Sequence, residues 1–108
     1  SLLWGMIKAG SLNMERMTKR LEGDLPWVDE GAVQAVEGGY TGPAVEKLAK
    51  LEELCEMLAA QQVQLSGELE TLRRAGKAKS HKFNELLGKK LTNSYFLGLL
   101  KVYGLDGE

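Results

Sequence analysis

Residues 43–75, PAVEKLAKLEELCEMLAAQQVQLSGELETLRRA, decide the fold. Proline suits the first position of a helix, because its missing N–H would be unpaired there anyway and its φ is preset. Gly42 or Thr41 then stands as the cap, preceded by the turn-like run GGYTG. Downstream, Leu51, Leu58, Leu65 and Leu72 recur at seven-residue spacing, and Leu48, Cys55, Gln62 and Leu69 form the row three residues earlier. These are the two apolar rows of four consecutive heptads, with Gln62 the one polar group in the seam. At 1.5 Å per residue the helix spans roughly 50 Å. A compact domain of this length has a radius of gyration of about 13 Å. The expectation is therefore an elongated molecule, a kink at Gly67, or pairing with another chain.

Outward from this helix, Gly76 reads as its C-terminal cap, with Arg73 and Arg74 placed against the negative end of the helix dipole. Ser80 caps a last helix, one element over about 81–103, whose apolar face is drawn from Phe83, Leu87, Leu91 and Tyr95 with Leu86 beside them. After Thr92-Asn93-Ser94 the run YFLGLL is apolar all round. Toward the N-terminus, Met14, Met17 and Leu21 keep helical spacing after a Ser11 cap, and Leu2, Leu3, Met6 and Ile7 extend that helix backward. Gly23-Asp24-Leu25-Pro26 is a break, since proline disfavours helix at the residue before it. Asp29 then caps a short helix carrying Val33 and Val36 and ending at Gly38-Gly39. No alternating strand pattern is evident. The expected fold is all-α: a helical bundle built on a long antiparallel hairpin (43–75 and 81–103), with one medium and one short N-terminal helix, elongated or dimeric. Gly31, Gly67, Gly88 and Gly98 fall inside these proposed helices, each at a cost of about 1 kcal/mol relative to alanine.

The chain has 108 residues, 44% hydrophobic and 27% charged, so it reads as a single helical domain, 1–108. Ser1 in place of a methionine suggests a piece of a larger protein. One cysteine excludes an internal disulfide and a cysteine-rich zinc site, and the expected compartment is reducing, cytoplasmic or nuclear. The opening segment lacks the layout of a signal peptide, and apolar runs fall short of the ~20 residues that span a bilayer.

The net charge of −1 conceals a sorted distribution. Residues 22–70 hold eleven acids and two bases, whereas 73–101 hold eight bases and one acid. The densest basic run contains Arg73, Arg74, Lys77, Lys79 and Lys82, with His81 among them, at the turn between the long helices. It offers a phosphate-binding patch for nucleic acid or lipid, against the plainer reading of a solvated turn. No aromatic stacking platform accompanies it.

Catalytic signals are weak. Cys55 and His81 make a formal nucleophile–base pair, but Cys55 sits in the seam, where a small buried thiol is inert. The loops EGGYTGP and LGKKLTNS lack the spacing of a phosphate loop. Glu52, Glu53 and Glu56 read as a wet acidic face rather than metal ligands. No catalytic residue, metal site or cofactor is expected.

The seam says more. In a parallel self-paired coiled coil, Lys47 faces Glu52 and Glu68 faces Arg73 of the partner; the competing arrangement packs the seam on the C-terminal helix of the same chain. The apolar ends, Leu2–Ile7 and Tyr95–Leu100, are richer than one core face requires. They read as core, as a partner patch, or as a membrane-surface contact, the last disfavoured. Heptads and basic turns occur in many unrelated helical proteins, so function has to be argued from surfaces. The expectation is a non-enzymatic protein–protein interaction or assembly domain, an adaptor or complex subunit, whose partner is another protein or a second copy. Its binding residues are the seam Leu51, Leu58, Leu65 and Leu72, together with Phe96, Leu99 and Leu100. The alternative is a nucleic-acid-binding module using the basic turn 73–82.

Overall fold

Two helices account for most of the described residues, and both end where their punctuation places them. In the computed structural model, which describes residues 14–106, helix α1 runs from Pro43 to Arg74 without interruption at Gly67. The Glu46 N–H donates to the Gly42 carbonyl (2.9 Å), so Gly42 opens the helix. The Gly42 backbone has φ +121°, and a Cβ there would lie 2.8 Å from the Ala32 carbonyl oxygen. Glycine is required on both counts: the left-handed side of φ, and the close passage of another backbone. At the far end Gly76 has φ +73°. Lys77 N–H bonds to the Leu72 carbonyl (2.8 Å) and Gly76 N–H to Arg73 (3.1 Å), the two bonds of a Schellman cap.

Helix α2 runs from His81 to Val102 as one element. The Ser80 hydroxyl accepts from the Phe83 N–H (3.1 Å) and donates to the Lys77 carbonyl (2.7 Å), so one side chain caps α2 and ties down the connection. The same Schellman pairing closes α2, with Gly104 at φ +73° and the Leu105 N–H on the Leu100 carbonyl (2.8 Å).

The N-terminal part overturns the expectation of an all-α helical bundle. Among the described residues there are two helices and two small antiparallel hairpins. Strand β1 (Lys19–Leu21) pairs with β2 (Leu25–Trp27), and β3 (Gln34–Val36) pairs with β4 (Gly39–Thr41). Where the medium helix was expected, residues 14–18 are irregular and β1 follows. Its Ser11 cap and backward extension through Leu2–Ile7 lie outside the described residues. Where Asp29 was expected to cap a short helix through Val36, a single 3-10 turn (Glu30–Ala32) leads into β3. The reason is local. Gly23 (φ +80°) and Asp24 (φ +62°) reverse the chain between β1 and β2, and Gly38 (φ +79°) reverses it between β3 and β4. A helix cannot continue through left-handed residues. Across the first hairpin Lys19 stands opposite Trp27, its ammonium 5.3 Å from the ring centroid and 3.7 Å from the Asp29 carboxylate.

By its contacts the chain divides into two compact units, residues 1–49 and 50–108. In the first, Ala32 is the buried hydrophobic residue among those described. In the second, Leu65, Leu69, Phe83 and Leu86 form the core, with Leu72 and Leu87 packed against it.

Candidate protein-docking face

The site is built on the unequal filling of the helical hairpin in residues 50–106. Near the turn, one α1 seam segment (Leu65, Leu69, Leu72) closes on Phe83, Leu86 and Leu87 of α2. The Arg73 guanidinium covers the Phe83 ring at 5.4 Å. One helical step farther from the turn the seam becomes polar. Asn93, buried in α2, donates to the Gln61 side-chain oxygen (2.6 Å), and Gln62 donates to the Lys90 carbonyl (3.1 Å) and to the Ser94 hydroxyl (2.9 Å). The Gln62 oxygen is buried with no partner. A buried amide layer of this kind fixes which residues of two helices face each other, at a cost in stability.

Beyond that layer the hairpin does not close. Leu58, Cys55, Leu97 and Leu100 are half-buried. Leu51, Leu54, Met57, Phe96 and Leu99 are exposed. The pairing of 61 with 93 and 62 with 94 sets Leu51 opposite position 104, past the end of α2 at Val102. The outer face of α2 is barer still: Tyr95 is 72% exposed and Val102 79%. Between Leu91 and Tyr103, α2 carries a single charged side chain, Lys101.

Of the seven residues expected to bind a partner, Leu65 is buried in the hairpin core and Leu58, Leu72 and Leu100 are half-buried. Leu51, Phe96 and Leu99 reach the surface. Leu65 and Leu72 are thus brought together inside the hairpin, and the others lie at its open end.

The basic turn is partly neutralised. Arg73 and Arg74 both pair with Glu70, at 3.0 and 3.1 Å, and Lys82 and Lys89 both approach Glu85, at 4.0 and 3.9 Å. Lys77 and Lys79 make no ion pair among the described residues. Near that end, an open groove of about 610 Å³ runs beside the hairpin. Val63, Gln64, Gly67, Glu68, Thr71 and Leu72 of α1 line it, with Lys82 and Leu86 of α2. The groove and the amide layer are what sequence reading missed. Asn93 had a signal, since Leu86, Asn93 and Leu100 are spaced by sevens in α2 as the leucines are in α1.

Comparison with protein-family models, with curated proteins and with solved structures finds no match. The candidate site therefore stands on its geometry. Cys55 is a half-buried free thiol in the seam of α1. Among the described residues no group of three His, Cys, Asp or Glu side chains is arranged to hold a metal, and no helix is long and apolar enough to cross a membrane.

Proposed function

We propose that this chain is a non-enzymatic protein–protein interaction domain, an adaptor or a subunit of an assembly. The observation that carries this reading is the bare C-terminal half of α2 and its cap, where Tyr95, Phe96, Leu99, Val102 and Tyr103 stand exposed on a stretch bearing one charge, Lys101. A contiguous apolar surface on a folded element costs free energy in water and is retained where a partner covers it. Aromatic residues on such a face are the usual anchors of an interface.

The nucleic-acid reading of the turn 73–82 has less support. Arg73, Arg74 and Lys82 already face carboxylates, leaving Lys77 and Lys79 as the bases without an ion pair among the described residues. Affinity from phosphate neutralisation scales with the number of contacts, and two lysines supply little.

A photo-reactive phenylalanine analogue placed at Phe96 or at Lys77, in cells that make the protein, separates the two. Protein adducts from position 96 are expected. Nucleic-acid adducts from position 77, with no protein adduct from 96, would overturn the reading.

A further inference from the structure

We infer that the partner covering the open end of the hairpin is a second copy of this chain, laid antiparallel so that each open end fills the other's groove. The inference rests on the interaction-domain reading and names its partner. Its starting point is that knob and groove occupy one face. On α1, Leu54, Met57, Gln61, Gln64, Glu68 and Thr71 follow steps of three and four residues, which is a single stripe. Leu54 and Met57 are its exposed apolar end, and Gln64, Glu68 and Thr71 line the groove. On α2, Lys82, Lys89, Phe96 and Tyr103 are spaced by sevens, with Lys82 at the groove and Phe96 at the open end.

Knob and groove are separated along this face by about fourteen residues (Met57 to Thr71, Phe96 to Lys82), or about 21 Å of helix. A two-fold axis through the face midway between them, perpendicular to the helices, exchanges the two. Such an axis lays each helix on its own counterpart: Phe96 and Leu99 of each copy meet the Lys82 and Leu86 end of α2 in the other, and Leu54 and Met57 meet Gln64, Glu68 and Thr71 of α1, in the self-complementary contact that two-fold symmetry demands. Nothing lies within 4 Å of where a Cβ on Gly67 would stand, so that wall of the groove is open to an incoming side chain.

Charge selects the same orientation. The turn end carries Arg73, Arg74, Lys77 and Lys79, with Lys82, Lys89 and Lys90 following, against Glu68, Glu70 and Glu85. The open end carries Glu52, Glu53, Glu56 and Asp106 against Lys50 and Lys101. Glu52, Glu53 and Glu56 make no ion pair among the described residues. Antiparallel pairing sets each acidic end beside a basic one, whereas parallel pairing sets like beside like.

The test is disulfide mapping in a Cys55→Ala background. Met57→Cys and Thr71→Cys chains of different mass are mixed and oxidised with copper–phenanthroline under air. The expected product is the mixed 57–71 disulfide, lost when Phe96→Glu is added to both chains. Truncation by Leu99→Ala, read by sedimentation on the otherwise native chain, is expected to weaken the dimer about tenfold. Predominance of 57–57 and 71–71 products would overturn the antiparallel arrangement. A monomer at every concentration with no cross-link would overturn self-pairing altogether. Protein adducts from position 96 that contain a different chain would, in that event, leave the broader interaction reading standing.

Discussion

The two ends of the helical hairpin are made from the same heptad rows but use them differently. At the turn end, Leu65, Leu69, Phe83 and Leu86 are sealed against one another. At the open end, Leu51, Leu54, Phe96 and Leu99 remain in water although their residue types are equally apolar. The amide layer of Gln61, Gln62 and Asn93 lies between the two. Hydrophobic sequence is thus necessary for a core but does not make one; a side chain has to face the other helix, and that helix has to be present at its level. Leu51 lies past the end of α2, and Leu54, Phe96 and Leu99 stand beside the seam, so together they leave a surface available to another chain.

Substitutions on either side of the amide layer sharpen that contrast. The largest effect is expected for Leu69→Ala, which empties a site 3% exposed and should lower unfolding free energy by about 2–5 kcal/mol. Leu51→Ala, at an exposed position, should cost far less under the same denaturant titration. Equal losses for the two would erase the distinction between the ends. At the boundary, Asn93→Ala leaves the Gln61 amide without its buried partner and should cost about 1–3 kcal/mol. Replacing both by leucine is expected to recover most of that loss, and a double-mutant cycle measures the coupling. Ser80→Ala removes the α2 cap and should cost about 1 kcal/mol at the turn end. The smallest effect belongs to Glu70→Gln, which releases Arg73 and Arg74 from exposed pairs. A loss below about 1 kcal/mol that shrinks with added salt is expected.

The helices were legible because their signals are long and redundant. Pro43, four heptads and Gly76 bound α1, and Ser80 and Gly104 bound α2, so no single residue had to carry the assignment. The face of α2 was read less well. Phe83, Leu87, Leu91 and Tyr95 share a four-residue spacing, which drifts about 40° per step on a helix of 3.6 residues per turn. After three steps the row has left the seam, and Leu91 and Tyr95 are exposed while Leu86, Asn93 and Leu100 hold the contact side.

The N-terminal hairpins were not legible. Their strands are three residues each, too short for a two-residue alternation to separate from chance. Met14, Met17 and Leu21 offer three points at helical spacing, and Gly23-Asp24 and Gly38-Gly39 serve equally well as ends of helices. The same glycines reverse strands when the flanking residues pair, and that pairing is tertiary information. At the candidate site the apolar excess of YFLGLL was plain in the sequence. The groove was not, because it forms from Gly67 and Thr71 of α1 beside Lys82 and Leu86 of α2.

Sedimentation equilibrium over a wide concentration range, on the native chain and on Leu99→Glu with helicity followed by circular dichroism, tests the central claim most directly. Leu99 is 42% exposed, so the variant keeps its fold within each chain. The account predicts a native chain that passes from monomer to dimer and a variant that stays monomeric with unchanged helicity. Identical association of the two, or a native chain that never associates, would contradict it.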